Sequence, residues 1–240
     1  MLMSHKHQFI FIHIYKTAGT SVTEQFAPHA RLLDRLAYQY WLSNYVYGLI
    51  INKMNWHDGG LKQFTGYHKH AKAFEVRRKL GNRKFEKYFK FAFVRNPYDF
   101  LVSLYFYLRQ AKEHNQNETA SKMTFPEFLH WFINTKPPCQ VDFLVDENGT
   151  ACLMNYIGRF ENLISDVQHI MTILRLDNAK KIAHKNRSVE RATRDVDSYY
   201  DSNTRRLVAD HYKRDFEMLG YDRAGHTEEI PLLTQVVESK

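Results

Sequence analysis

The chain has 240 residues, 44% apolar and 25% charged, which are the proportions of a globular domain and exclude a disordered or low-complexity chain. Lys and Arg number 34 against 26 Asp and Glu, a formal charge of +8, so anionic partners such as nucleotides or acidic glycans are favoured. The charge is spread along the chain without a polybasic tail, which argues against a nucleic-acid arm, and two cysteines, Cys139 and Cys152, exclude a disulfide framework; reduced thiols are expected.

The run FIFIHI (9–14) reads as a first strand, buried on both faces because it is nearly continuously apolar. It is too short for the apolar region of a signal peptide and no small-residue cleavage site follows, so a cytoplasmic location is expected. The strand leads through YKTAGTS (15–21) into a helix starting near Gly19 to Ser21. Such a loop presents backbone N–H groups and the positive end of a helix dipole to an anion. Gly19 lets a bulky oxyanion approach, Thr17, Thr20 and Ser21 offer hydroxyls, and Lys16 adds a point charge. An ordinary capped helix is the alternative at this point.

Residues 31–53 read as a Tyr-rich helix and FTGYHKH (64–70) as a second strand. AKAFEVRRKLG (71–81) reads as an amphipathic helix stopped by Gly81. No apolar stretch is long enough to cross a bilayer; YWLSNYVYGLII (40–51) is short and polar. YFKFAFV (88–94) is another strong strand, followed by RNPYDF, where Pro97 suits the first turn of a helix running on through His114. Arg95 stands at the end of that strand, where a guanidinium can grip a phosphate or, alternatively, pair with Asp99 to staple the turn; Ser103 lies two helical turns on.

NQNETASK (115–122) reads as a mobile polar loop and TFPEFLHWFINT (124–135) as a helix. A hairpin flanked by the two cysteines precedes a strand in CLMNYIGRF (152–160) and a helix over 161–176. HKNRSVERATRD (184–195) is a basic loop, and 201–221 forms a last helix capped by Asp201 or Ser202. Strands alternating with helices predict an α/β layered fold with a mainly parallel sheet flanked by helices. Ligands bind such sheets beyond the carboxyl ends of the strands, where both the Lys16 and Arg95 loops fall. The first loop lacks the G-x-x-x-x-G-K-[ST] spacing of a nucleoside-triphosphate site, since Lys16 precedes Gly19, and no strand-end aspartate serves as a magnesium ligand.

IYKTAGTS (14–21) resembles the 5′-phosphosulfate-binding loop of sulfotransferases, and FAFVRNPYDFLVSLY (91–105) resembles their 3′-phosphate-binding segment. With GRFENL (158–163) and HYKRDFEMLGY (211–221), the chain looks like the branch that includes heparan sulfate 2-O-sulfotransferases and related bacterial proteins. The resemblance implies a P-loop-kinase-like fold in a single domain over 1–222 with a loosely held tail over 223–240. It implies 3′-phosphoadenosine 5′-phosphosulfate (PAPS) as donor, PAP as product and no metal. Lys16, Thr17, Ala18, Gly19, Thr20 and Ser21 would hold the phosphosulfate, Arg95 and Ser103 the 3′-phosphate, and Lys185, Arg187 and Ser188 would close a basic loop over the nucleotide. The acceptor would be a hydroxyl, of a glycan or glycoconjugate.

In-line transfer to a hydroxyl needs positioning, charge neutralisation and a base. Histidine titrates near neutrality, and in GYHKHA a strand would point His68 and His70 to one face. The heparan sulfate 2-O-sulfotransferases carry a similar catalytic His-x-His, which makes His70 the expected base and His68 its assistant; Glu75, Glu161 and His184 are alternatives. Arg159 either contacts the acceptor or is structural. Trp41, Trp56 and Trp131 either pack or stack on sugars. A metal-dependent kinase and a non-catalytic polyanion-binding module are the competing functions.

Overall fold

The computed structural model describes residues 1–30, 69–176 and 195–223. The expected helix at 31–53, most of the strand expected at 64–70, His68, His184, Lys185, Arg187, Ser188, Trp41, Trp56 and the tail from 224 lie outside the described residues.

Among the described residues the sheet has four strands in the order β1 (Leu2–Ser4), β2 (Phe9–Ile12), β3 (Phe89–Val94) and β4 (Tyr156–Arg159). β2, β3 and β4 are parallel neighbours, with Phe11 opposite Phe91 and Phe93 opposite Gly158. β1 folds back antiparallel on β2, an edge strand of three residues that the apolar pattern alone did not reveal.

The sheet is covered on both faces, and β2 and β3 divide their residues strictly between them. Phe9, Phe11, Phe91 and Phe93 join Val22 and Phe26 of α1 (Gly19–Phe26) and Leu163, Val167 and Ile170 of α7 (Leu163–Ile173) in one core. Ile10, Ile12, Ala92 and Val94 face a larger core. There they meet α4 (Pro97–Gln110), α6 (Phe125–Asn134), α8 (Ser202–His211) and α9 (Lys213–Leu219). Period-two alternation therefore persists in a fully buried strand: aromatic residues fill one layer and branched or small ones the other. Phe9, Phe11, Phe91 and Phe93 are fully buried, and truncating one to alanine costs about 3–5 kcal/mol.

Two short helices, α2 (Ala73–Leu80) and α3 (Asn82–Lys87), carry the chain to β3, with Gly81 between them at φ 86° as expected for a helix stop. α4 starts at Pro97 under Asn96, whose side chain accepts from Tyr98 N at 2.9 Å. It ends at Gln110, short of His114. The segment read as a mobile loop instead contains α5 (Asn117–Ser121), tied to α4 because Asn117 Nδ2 donates to the carbonyls of Leu108 and Arg109. Polar composition suggested a loop; the side-chain amide capping the last carbonyls of α4 makes it ordered.

The cysteine-flanked stretch reduces to one bridge, Val145 to Cys152, after a 3-10 turn at Gln140–Phe143, and both thiols are free. Asp201 caps α8 by accepting from Thr204 N at 2.8 Å, but the expected single last helix breaks at Tyr212 into α8 and α9. Trp131 packs beside Phe128 and Phe132.

Candidate functional site

The carboxyl ends of β2 and β3 open on one cavity of about 1300 Å³. Lys16, Gly19, Ser21, His70, Arg95 and Ser103 all line it. The parallel pairing of β2 with β3 brings the two loops together, and a direct bond joins them: Arg95 Nη1 donates to the Lys16 carbonyl at 3.2 Å.

The first loop turns sharply. Lys16 and Ala18 both adopt left-handed backbone, at φ 62° and 63°. Ala18 caps α1 without any side-chain hydrogen bond, so the helix start faces the cavity through its backbone. Thr17 departs from expectation: it is fully buried, and its hydroxyl donates to Ile14 O at 2.9 Å, bracing the turn from inside. Thr20 and Ser21 do line the cavity. Gly19 is required by packing, because a Cβ there would lie 1.7 Å from His13 Nε2.

Lys16 is an unusual lysine. Burial first, then Arg95 and Lys69 nearby, pull its pKa down to about 8. Its ammonium sits 4.1 Å from the centre of the Tyr107 ring. Tyr107 was missed in the sequence, although Asp99, Ser103 and Tyr107 form an i, i+4, i+8 series on α4 and all line the cavity.

Arg95 is held from several sides. Its Nε donates to Asp99 Oδ2 at 2.7 Å, and its guanidinium carbon lies 3.8 Å from the Phe160 ring centre. The staple to Asp99 and the position in the shared cavity, posed as alternatives from sequence, therefore coexist. Asp99 is the one acidic residue lining this cavity among the described residues, against Lys16, Lys69, Arg95 and Lys136. The field in the cavity is positive.

His70 lies in a turn and not in a strand, beside Lys69. Its Nδ1 is 2.8 Å from the His13 carbonyl, which can only accept. Nδ1 therefore carries the proton and Nε2 keeps its lone pair in the neutral ring. Burial pushes the pKa down to about 4, so the ring is neutral at physiological pH. The second histidine in contact with it is His13, with ring centres 4.7 Å apart. His13 is buried at the end of β2, stacks on Phe11, and burial holds it well below the usual histidine range. His68, to which sequence spacing pointed, lies outside the described residues; His13 is a further histidine that the sequence reading did not single out.

Two of the alternative bases, Glu75 and Glu161, have other partners. Glu75 Oε2 accepts from Lys72 N at 2.8 Å in a capping box. Glu161 Oε1 accepts from Asn96 N at 2.8 Å and Oε2 from the Tyr221 hydroxyl at 3.0 Å. Arg159 is buried, donates to the carbonyls of Leu219 and Gly220, and lies over the Tyr221 ring, contacts that give it a structural role. GRFENL and LGY thus lock together behind the Arg95 loop.

A profile described as "Sulfotransferase family" matches residues 1–222. The chain belongs to the sulfotransferase family. Comparisons with curated proteins and with solved structures gave no significant match. The four-stranded, mostly parallel sheet flanked by helices agrees with the P-loop-kinase-like architecture expected of a sulfotransferase. Sulfuryl transfer replaces the kinase reading raised by the sequence. Among the described residues of this sulfotransferase, no helix is long and apolar enough to cross a membrane, and no group of three metal-ligating side chains is assembled.

Proposed function

We propose that residues 1–222 form one sulfotransferase domain that moves the sulfuryl group of PAPS to a hydroxyl of a saccharide, as in the heparan sulfate 2-O-sulfotransferase branch. One observation carries the reading. Two cationic loops at the ends of neighbouring parallel strands share a single positive cavity and are bonded to each other through Arg95 and Lys16. A donor with phosphate groups at both ends of a nucleoside needs two such sites a fixed distance apart.

The residues present fit that donor. The cavity of about 1300 Å³ exceeds the ~300–1,000 Å³ usual for a single small ligand, which leaves room for nucleotide and acceptor together. The Lys16–Ser21 loop offers its cation, the start of α1 and the hydroxyls of Thr20 and Ser21; the Thr17 hydroxyl is excluded because Ile14 O takes its proton. Arg95 and Ser103 receive the 3′-phosphate. By resemblance, Lys185, Arg187 and Ser188 close over the nucleotide, and His68 assists His70. Bound there, PAPS supplies the sulfuryl group and a phosphate leaving group.

His70 orients its Nε2 by donating Nδ1–H to the His13 carbonyl, and Nε2 takes the proton of the acceptor hydroxyl as the oxygen attacks sulfur. Lys16, steadied over Tyr107, neutralises the charge that grows on the departing phosphate oxygen. The basic overall charge suits an anionic saccharide.

Calorimetry with PAP and with AMP tests the donor site: PAP should bind more tightly, and equal affinities overturn the assignment of Arg95 and Ser103. Transfer of labelled sulfate to a panel of saccharides and small phenols tests the acceptor. Labelling of phenols alone refutes the saccharide, and salt-sensitive glycan binding without transfer favours the non-catalytic module.

A further inference from the structure

Arg95 is fixed through its backbone as well as its side chain, and the backbone grip comes from a distant part of the chain. Its N–H donates to Gln140 Oε1 at 2.9 Å, and its carbonyl accepts from Gln140 Nε2 at 2.8 Å. One side-chain amide thus makes both bonds that a neighbouring strand would make, just past the last residue of β3. Gln140 is 1% exposed, so neither bond is exchanged with water. Arg95 also dictates which way the amide faces, since its N–H demands an acceptor and its carbonyl a donor.

Gln140 is in turn held by Asp215 of α9. The carboxylate accepts from Gln140 N and from Val141 N, each at 2.9 Å, and stands 3.4 Å from Gln140 Nε2. Asp215 is fully buried and makes no salt bridge among the described residues. Burying a carboxylate with amide donors as its only partners among the described residues is costly. Its neighbours Phe216 and Leu219 anchor α9 in the main core, so the anchor point is stiff.

We infer that Gln140 and Asp215 are positioning residues that set the pose of Arg95 and thereby the preference of the nucleotide site for a 3′-phosphate. The inference rests on the proposed role of Arg95. It gives the HYKRDF segment a task in donor selection: α9 reaches the nucleotide loop through one glutamine, without touching the cavity. The side-chain contacts of Arg95 with Asp99, Phe160 and the Lys16 carbonyl are made from the backbone position that Gln140 holds. Among the described residues the first loop, around Lys16, is linked to the clamp through the bond from Arg95 to the Lys16 carbonyl, so affinity for a 5′-phosphate should change less than affinity for a 3′-phosphate.

The test is the ratio of PAP to AMP affinity in the full chain carrying Gln140→Met, which keeps the volume and removes both bonds. The PAP-over-AMP preference should fall roughly tenfold, from two buried backbone groups left unpaired, with AMP affinity changing less than PAP affinity. A merely structural role would weaken both nucleotides alike. A wild-type protein that binds PAP and AMP equally overturns the donor reading and this inference with it. A wild type that prefers PAP, beside a Q140M protein with the same preference, overturns the inference alone. If Q140M does not fold, hydrogen exchange of the Arg95 amide in the wild type decides. Protection equal to that of the β3 amides supports the clamp, and exchange at the rate of an open loop refutes it.

Discussion

Replacing Asp215 by asparagine should change how stability depends on pH, and the size of the effect follows from where the group sits. Burial pushes the carboxyl from 3.8 up to about 7, against the opposing pull of the bonds from Val141 and Gln140. A carboxyl whose folded pKa is raised favours the fold most when protonated. Its contribution is complete below pH ~4 and is lost as pH rises through about 7. The difference of about three pKa units corresponds to roughly 4 kcal/mol of stability removed across that window. The groups around it do not mask the effect: Tyr15, Tyr212, Tyr221 and Cys139 stay neutral because burial raises them, and Asp142 is paired with Arg214. Asparagine cannot ionise, but it turns an NH₂ toward one backbone N–H, a penalty of about 1–3 kcal/mol. Urea unfolding followed by circular dichroism should therefore show D215N clearly weaker than wild type at pH 5. By pH 8 the gap should close or reverse. Parallel stability curves for the two proteins between pH 5 and 8 would refute the reasoning.

Lys16→Ala should abolish turnover by orders of magnitude while circular dichroism and melting temperature stay near wild type, because the side chain points into the cavity; retained turnover removes Lys16 from the chemistry. The profile of kcat/KM against pH should show a plateau bounded by an acid limb near 4 from His70 and an alkaline limb near 8 from Lys16, since the base must be neutral and the lysine charged. His70→Ala should lower kcat far more than donor affinity and erase the acid limb; an unchanged limb assigns it to another group. Gly19→Ala forces a methyl group against His13 and should cost roughly 1–3 kcal/mol along with nucleotide binding, and the double variant with His13→Ala should recover part of both. No recovery would mean that His13 is not the obstacle. Tyr107→Leu should raise the Lys16 pKa's sensitivity to salt and reduce kcat several-fold, read from the shift of the alkaline limb.

The parallel strands and the two loops were legible because apolar runs end abruptly in a cation and a glycine or proline, at Lys16–Gly19 and Arg95–Pro97. Such punctuation is local, and it survives any tertiary context. The antiparallel β1 was not legible: three residues carry too little pattern, and pairing with β2 is what makes them a strand. α5 was hidden for the opposite reason, since its order comes from Asn117 reaching the end of α4. Within the site, His13 was passed over as part of an apolar strand, although its place two residues past Phe11 puts it on the same face. Gln140 and Asp215 lie far apart in sequence, and only the packing of α9 against the turn at Gln140–Phe143 joins them. The hydroxyl of Thr17 read as a ligand group because composition cannot tell which way a side chain turns.

The guanidinium of Arg159 finishes β4, yet its two carbonyl acceptors belong to residues sixty positions later. During synthesis the strand emerges before Leu219 and Gly220 do, so these two acceptors for its guanidinium arrive only with the C-terminal part of the domain. β4 gains that pair of bonds only once α9 has been made. Premature stop variants ending before Leu219 should consequently be less stable than the whole chain and more readily captured by chaperones.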